Sequence, residues 1–291
     1  MLLHFADASK DFSSSKFIIF GVPFDGTSSF RHGSKFAPEE IRKASYNLES
    51  YILEHDIELS DVPIHDMGNV GTLDEFGDSK EVIEIVYSTL NQILPDKFPI
   101  MLGGEHSITV GAAKALKKLK DVGIIFIDAH ADFRDQYLGN RYSHACTARR
   151  AYEILDGKVF SLGIRSVSKE EVEDAKKLNY KWISAYEFHK LGWKEAIKEA
   201  LHILDVGKIY LSIDIDGIDP SYAPGTGTPE FFGITPTDVK NIIGFLGDRL
   251  IGADITEVSP PYDNGNTSIL AARLIQEIIA IKWKTIEDKF K

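Results

Sequence analysis

The strongest constraint on the fold of this chain is a rhythm of short apolar runs, each closed by polar or turn-forming residues. Eight stand out: FIIFGVP (17–23), VPIHDMG (62–68), FPIML (98–102), GIIFID (123–128), KVFSLG (158–163), YKWIS (180–184), KIYLSIDID (208–216) and LIGADI (250–255). Their length and their β-branched and aromatic content suit strands. Between most of them lie helix-type segments, such as 79–94, 107–120 and 235–248, and a last one over 268–289 has apolar residues at helical spacing. Strands apolar on both faces that alternate with helices imply a mostly parallel sheet covered on both sides, an α/β architecture. No repeat, low-complexity tract or long linker interrupts the pattern. Ligands of such sheets bind in the crevice beyond the carboxyl ends of the strands, so polar residues just past a run are where chemistry is expected.

Three runs end in ligand-type side chains. GIIFIDAHADFRD presents Asp128, His130 and Asp132 on alternate positions, and an extended chain would point all three the same way. KIYLSIDID presents Asp214 and Asp216 by the same arithmetic, and in MLGGEHSIT two glycines turn the chain so that His106 opens a helix. Any one of these is weak, because Asp caps helices readily and a lone His is commonly a core residue. Together they offer four carboxylates and two imidazoles, a donor set suited to Mn, Fe, Co or Zn. Six side chains are too many for one catalytic ion with an open position, so a binuclear centre is expected.

Composition narrows the remaining classes. A net charge of −11 argues against a broad nucleic-acid surface, which needs a basic stripe. The single cysteine, Cys146, excludes an internal disulfide and a thiolate zinc cluster. MLLHFADASKDF lacks a basic n-region and a long apolar h-region, and no stretch approaches the roughly 20 apolar residues of a spanning helix. A soluble cytoplasmic protein without membrane contact is expected.

GGEHSIT, DAHADFRD, SIDIDGIDPSYAPGTGTPE and DITEVSPPYD resemble the signature set of the ureohydrolases, the arginase and agmatinase family. GVPFDGTSSFRHGSKFAPEEIRKAS (21–45) is similar to the N-terminal segment of agmatinases, and the matches run from about residue 17 to the C-terminus. The resemblance implies a single catalytic domain over 1–291, folded as a three-layer α/β/α arrangement around an eight-stranded sheet. It implies two Mn2+ ions bridged by water or hydroxide. His106 and Asp132 would serve one ion, His130 and Asp216 the other, and Asp128 and Asp214 would bridge. Hydroxide would attack a guanidinium carbon to release urea and an amine. Asp132 matches the residue that relays the proton, His144 the proton shuttle, and Glu257 the carboxylate that pairs with the guanidinium. Thr228 matches a residue that supports Glu257, whereas Gly225 and Gly227 shape their loop. Where bacterial members commonly read SHG, this chain has SHAC, which leaves Cys146 either a reactive thiol or a small buried side chain. Assembly into trimers or hexamers is a further family expectation.

The shared head chemistry does not distinguish substrates. Arginases characteristically carry Asn two residues after the Asp matching Asp132, and here that position is Arg134. Agmatine, a small cationic guanidine hydrolysed to putrescine and urea in polyamine biosynthesis, is therefore the first expectation. Arg134 would repel its ammonium unless paired, for instance with Asp135. If it points into the pocket unpaired, a carboxylate-ended guanidinobutanoate fits better. N1-aminopropylagmatine, arginine and formiminoglutamate are the other substrates to consider, and a metal-binding homologue without this activity is the remaining alternative.

Overall fold

The structure, a computed structural model, describes residues 3–71 and 78–288. Among them the eight apolar runs form one sheet: β1 (Phe17–Gly21), β2 (Ile64–Asn69), β3 (Phe98–Leu102), β4 (Val122–Ile127), β5 (Val159–Ile164), β6 (Lys181–Ser184), β7 (Lys208–Asp214) and β8 (Leu250–Thr256). Their order across the sheet is β2-β1-β3-β8-β7-β4-β5-β6, and every pairing is parallel. A two-stranded antiparallel ribbon, Tyr51–Ile52 with Ile57–Glu58, stands apart.

The nine helices among the described residues are α1 (Ala37–Ser45), α2 (Ser79–Ile93), α3 (Thr109–Leu116), α4 (Thr147–Ile154), α5 (Lys169–Leu178), α6 (Ala185–Leu191), α7 (Trp193–Leu204), α8 (Pro236–Leu246) and α9 (Asn266–Glu287). Position 289, the end of the last expected helix, lies outside the described residues. The period-two alternation of the strands sorts the core into two layers. Phe17, Ile19, Ile125, Ile127, Leu211 and Ile213 pack with residues of α1 and α6–α9. Ile18, Phe20, Ile124, Phe126 and Tyr210 pack with α2–α5. These are the two outer layers of the expected α/β/α fold. No helix among the described residues is long and apolar enough to cross a membrane.

Register is what positions the functional residues. Leu102 pairs with Ile255, Ile255 with Ile213, and Ile213 with Ile127, so four adjacent strands end level with one another. Strands in a sheet lie about 4.8 Å apart, so four such ends span roughly 15 Å. All four point their carboxyl ends the same way, and the residues that follow them share one edge of the sheet.

Candidate active site

Each of the four central strands delivers part of the cluster. Beyond β3, Gly103 and Gly104 turn the chain into a short 3-10 turn that His106 opens. A side chain at position 104 would stand 1.9 Å from the Phe24 carbonyl oxygen, so only glycine lets the two loops meet here. Beyond β4 come Asp128, His130 and Asp132; β7 ends on Asp214; Glu257 follows β8.

Strand alternation accounts for only part of this convergence. His130 does continue the strand geometry, through an isolated parallel bridge to Ser166. Asp132 does not: its φ of +46° turns it into the left-handed region and back toward the cluster. Asp216 lies in a 3-10 turn (Ile215–Gly217), where the Asp214 carboxylate accepts its N–H at 2.9 Å. Glu257 is likewise left-handed, with φ +61°. Left-handed backbone is costly for a residue other than Gly, about 1–3 kcal/mol, and such positions concentrate where function demands a particular aim.

The donors converge on two points. His106 Nδ1 stands 3.2 Å from Asp128 Oδ2, 3.3 Å from Asp132 Oδ2 and 3.2 Å from Asp214 Oδ2. His130 Nδ1 stands 3.0 Å from Asp216 Oδ2 and 3.8 Å from Asp128 Oδ1. His106, Asp128 and Asp214 form one group able to hold a metal ion, and Asp128, His130 and Asp216 form another. Asp128 belongs to both, with one oxygen toward each imidazole. Asp214 faces His106 with Oδ2 and spends Oδ1 on the Asp216 N–H.

His106 Nδ1 is buried and has no aligned hydrogen bond, although three carboxylates face it. Its other nitrogen explains the ring's orientation. Nε2 is 3.0 Å from Ser212 Oγ, whose own proton goes to Asp254 Oδ1 at 2.6 Å. Asp254 also accepts from Thr109 Oγ1. One ring proton therefore sits on Nε2, and Nδ1 faces the carboxylates with the position where either a second proton or a cation is held. A buried imidazole nitrogen among three carboxylates is what a divalent cation needs and what a hydrogen-bonded core histidine does not show. The residues fit the metal ions expected of them.

The electrostatics agree. Burial, with repulsion from Asp132 second, pushes Asp128 up to about 7. Burial followed by Asp216 and Asp128 takes Asp214 well above the carboxylate range. Burial opposes charge on His106 and His130, yet the carboxylates facing them outweigh it and hold both well above their ordinary value. Burial also acts to raise Asp216, but the His130 ring outweighs it and keeps that carboxyl below its usual range. The cluster is short of positive charge, and protons stand where cations would bind.

A cavity of about 340 Å³ opens onto these groups, lined among others by Asp132, Arg134, His144, Glu171, Thr228 and Glu257. Glu257 is buried; its Oε1 accepts the His106 backbone N–H at 2.7 Å, and burial followed by repulsion from Glu105 pushes its carboxyl well up. The Thr228 hydroxyl donates to Asp216 Oδ2 at 3.2 Å rather than to Glu257, which corrects the expected support: the 226–228 loop brings it to the metal-ligating side. Arg134 is paired, but not with Asp135. Its guanidinium lies 3.5 Å from buried Glu171 and over the Tyr137 ring. Asp135 instead meets Arg141 and Arg150, each at 3.0 Å. Glu171 is already fixed by the N-terminal capping box of α5 with Ser168. Cys146 is buried 3.7 Å from the Asn140 carbonyl, and burial pushes its thiol up to about 12, which removes the reactive-thiol alternative near neutral pH.

Ser212, Asp254, Thr27 and Glu105 were not anticipated. Ser212 and Asp254 did carry a signal: each is a polar residue inside an apolar strand, and they pair across β7 and β8. Their side chains point to the face that Asp214 shares, two residues further along β7.

Comparison with known proteins bears on this geometry. A family model described as Arginase family matches residues 15–280. The N(1)-aminopropylagmatine ureohydrolase of Thermococcus kodakarensis is 40% identical over 90% of this chain and 88% of that protein. The agmatinase of Bacillus cereus is 37% identical over 94% of each. The crystal structure of the agmatine ureohydrolase of Thermoplasma volcanium superposes with a TM-score of 0.93 at 47% identity, covering 99% of this chain and 97% of that one.

Proposed function

The chain belongs to the arginase family, whose members hydrolyse amidino C–N bonds, and from that premise we propose that it is an agmatinase acting as one catalytic domain. The observation that carries the choice of agmatine is the Arg134–Glu171 pair. A carboxylate-ended substrate such as arginine or guanidinobutanoate wants a free cation at the far end of the pocket. Arg134 already has a buried anion, so its charge is compensated and an amine-ended tail meets no net repulsion.

His106 and Asp132 would hold one divalent ion and His130 and Asp216 a second, with Asp128 and Asp214 serving both, Mn2+ in this reading. Such a pair supplies the positive charge that lets water yield hydroxide near neutral pH. The chain's own residues do the rest. Glu257 pairs with the guanidinium and aims its carbon, since a carboxylate matches that planar fork. Water adds to this carbon, the bond to the alkyl nitrogen breaks, and urea and a protonated amine leave. Asp132 carries the proton from water to the departing nitrogen. His144, on the cavity wall, exchanges protons with solvent. Thr228 steadies Asp216.

N1-aminopropylagmatine is the second reading, because it also ends in amines and a relative named for it is 40% identical to this chain. The deciding experiment measures urea release from agmatine, N1-aminopropylagmatine, guanidinobutanoate and arginine after Mn2+ loading. Agmatine is expected to give the highest kcat/KM. Greater efficiency on the aminopropyl compound selects the second reading, and equal or greater efficiency on arginine or guanidinobutanoate overturns both.

A further inference from the structure

One wholly buried carboxylate, adjacent in sequence to His106, belongs to neither ligand group. Glu105 is 0% exposed and accepts three hydrogen bonds. The Thr27 N–H reaches Oε2 at 2.6 Å, the Thr27 hydroxyl reaches Oε1 at 2.5 Å, and the Ser107 hydroxyl reaches Oε1 at 2.6 Å. Thr27 lies in the loop after β1, which neighbours β3 in the sheet. The same threonine oxygen stands 2.9 Å from the His144 backbone N–H and 3.2 Å from His144 Nδ1.

A hydroxyl has one proton and two lone pairs. A carboxylate can only accept, so the Thr27 proton is committed to Glu105. The Thr27 oxygen is then left as an acceptor on its other side, and the backbone N–H takes one lone pair. A second contact from Nδ1 is favourable only if Nδ1 carries the ring proton. The basic nitrogen is then Nε2, which stands 3.4 Å from Ser29 Oγ on the cavity wall.

We propose that Glu105 and Thr27 are positioning residues that hold neutral His144 in its Nδ1–H tautomer, so that the nitrogen able to take up and deliver protons is the one on the pocket side. The proposal rests on the reading of His144 as a proton carrier. Without Thr27 the ring loses this bias: Ser143 Oγ, 3.3 Å from Nδ1, can donate as well as accept.

The test combines nitrogen NMR of the protein loaded with diamagnetic Zn2+ and labelled in its histidines with steady-state kinetics of the Mn2+-loaded protein on agmatine. His144→Asn assigns the resonance. Wild type is expected to show the Nδ1–H tautomer at His144. Thr27→Val should abolish that preference and lower kcat about 10- to 100-fold, with KM changed less than about threefold. Thr27→Ser, which keeps the hydroxyl, should restore both. An unchanged tautomer in Thr27→Val overturns the proposal, as does reversal on Ser143→Ala alone. A loss in Thr27→Val that Thr27→Ser does not rescue also overturns it, because the methyl and not the hydroxyl then matters. Should wild type release no urea from any guanidine, the proposed function fails, while the tautomer measurement still decides the role of Thr27.

Discussion

At the scale of single residues, the site depends on side chains whose neighbours leave them one thing to do. Glu257 is held by a left-handed backbone and by the His106 N–H, so its carboxylate is aimed before substrate arrives. Glu257→Gln keeps the shape and the backbone but removes the charge that a guanidinium needs. Losing one member of a buried charge pair costs about 2–5 kcal/mol, so kcat/KM on agmatine should fall roughly 30- to several-thousand-fold, with little change in Tm. Wild-type kcat/KM in this variant would remove Glu257 from the mechanism. The His106–Ser212–Asp254 chain acts one step further back. Ser212→Ala frees the imidazole to rotate or change tautomer, and loss of such support typically weakens metal binding about 10- to 100-fold. Titration of the apo-protein with Mn2+ against a chelating indicator reads this directly, and an unchanged affinity would show that packing alone orients the ring.

At the scale of elements, the fold was legible in the sequence because the strands of a doubly covered parallel sheet are apolar on both faces. All eight runs became strands, with ends shifted by a few residues at most. The change that bears on the site is at 208–216, where the strand stops at Asp214 and a 3-10 turn takes over. Extended chain would carry Asp132 and Asp216 into the site, yet each arrives by a turn. Strand periodicity cannot foresee a left-handed residue, because that conformation is imposed by what surrounds it. The partner of Arg134 was illegible for a related reason. Glu171 lies 37 positions away, and only the docking of α5 beside the 133–134 loop brings them together. The same tertiary logic produces the buried pair between Arg42 on α1 and Asp66 in β2, bidentate at 2.7 and 2.9 Å, with Arg42 2% exposed. Asp66 also accepts the Phe5 N–H. Asp66→Asn leaves a buried guanidinium without its counter-charge and should destabilise the protein by about 3–5 kcal/mol, read as a lower urea midpoint at unchanged slope. Replacing both partners by apolar residues, Arg42→Met with Asp66→Leu, should recover much of that loss. A double variant as unstable as Asp66→Asn would mean that the pair is worth more than the burial of its charges costs.

At the scale of the whole molecule, the decisive fact is that a chain of net charge −11 buries Asp128, Asp132, Asp214 and Asp216 together at one edge of its sheet. Without cations, protons must stand in for them, and stability then depends on pH in a direction that can be worked out. Asp128 titrates near 7 in the fold against 3.8 when unperturbed, so between these values the folded state holds a proton that the unfolded chain has released. Stability from that proton is complete below about pH 4 and declines as pH rises toward 7, at about 1.4 kcal/mol per unit where the difference is full. His106 and His130, held above 6.5, contribute in the same sense: their stabilisation is present below 6.5 and is lost as pH climbs through their folded values. Asp216 runs the other way, but its stabilisation is already complete above about pH 4 and fades only in stronger acid. Metal-free protein should therefore be more stable at pH 5 than at pH 8. Divalent ions that bind only the folded state reverse this trend, each adding about 2.7 kcal/mol at a hundredfold excess over its dissociation constant. Their benefit should grow with pH as proton competition for the ligands fades. Urea unfolding in chelator and in Mn2+, at both pH values, measures all four states. The reading of this cluster as a cation site fails if the metal-free protein is as stable at pH 8 as at pH 5, or if the Mn2+ increment does not increase between them.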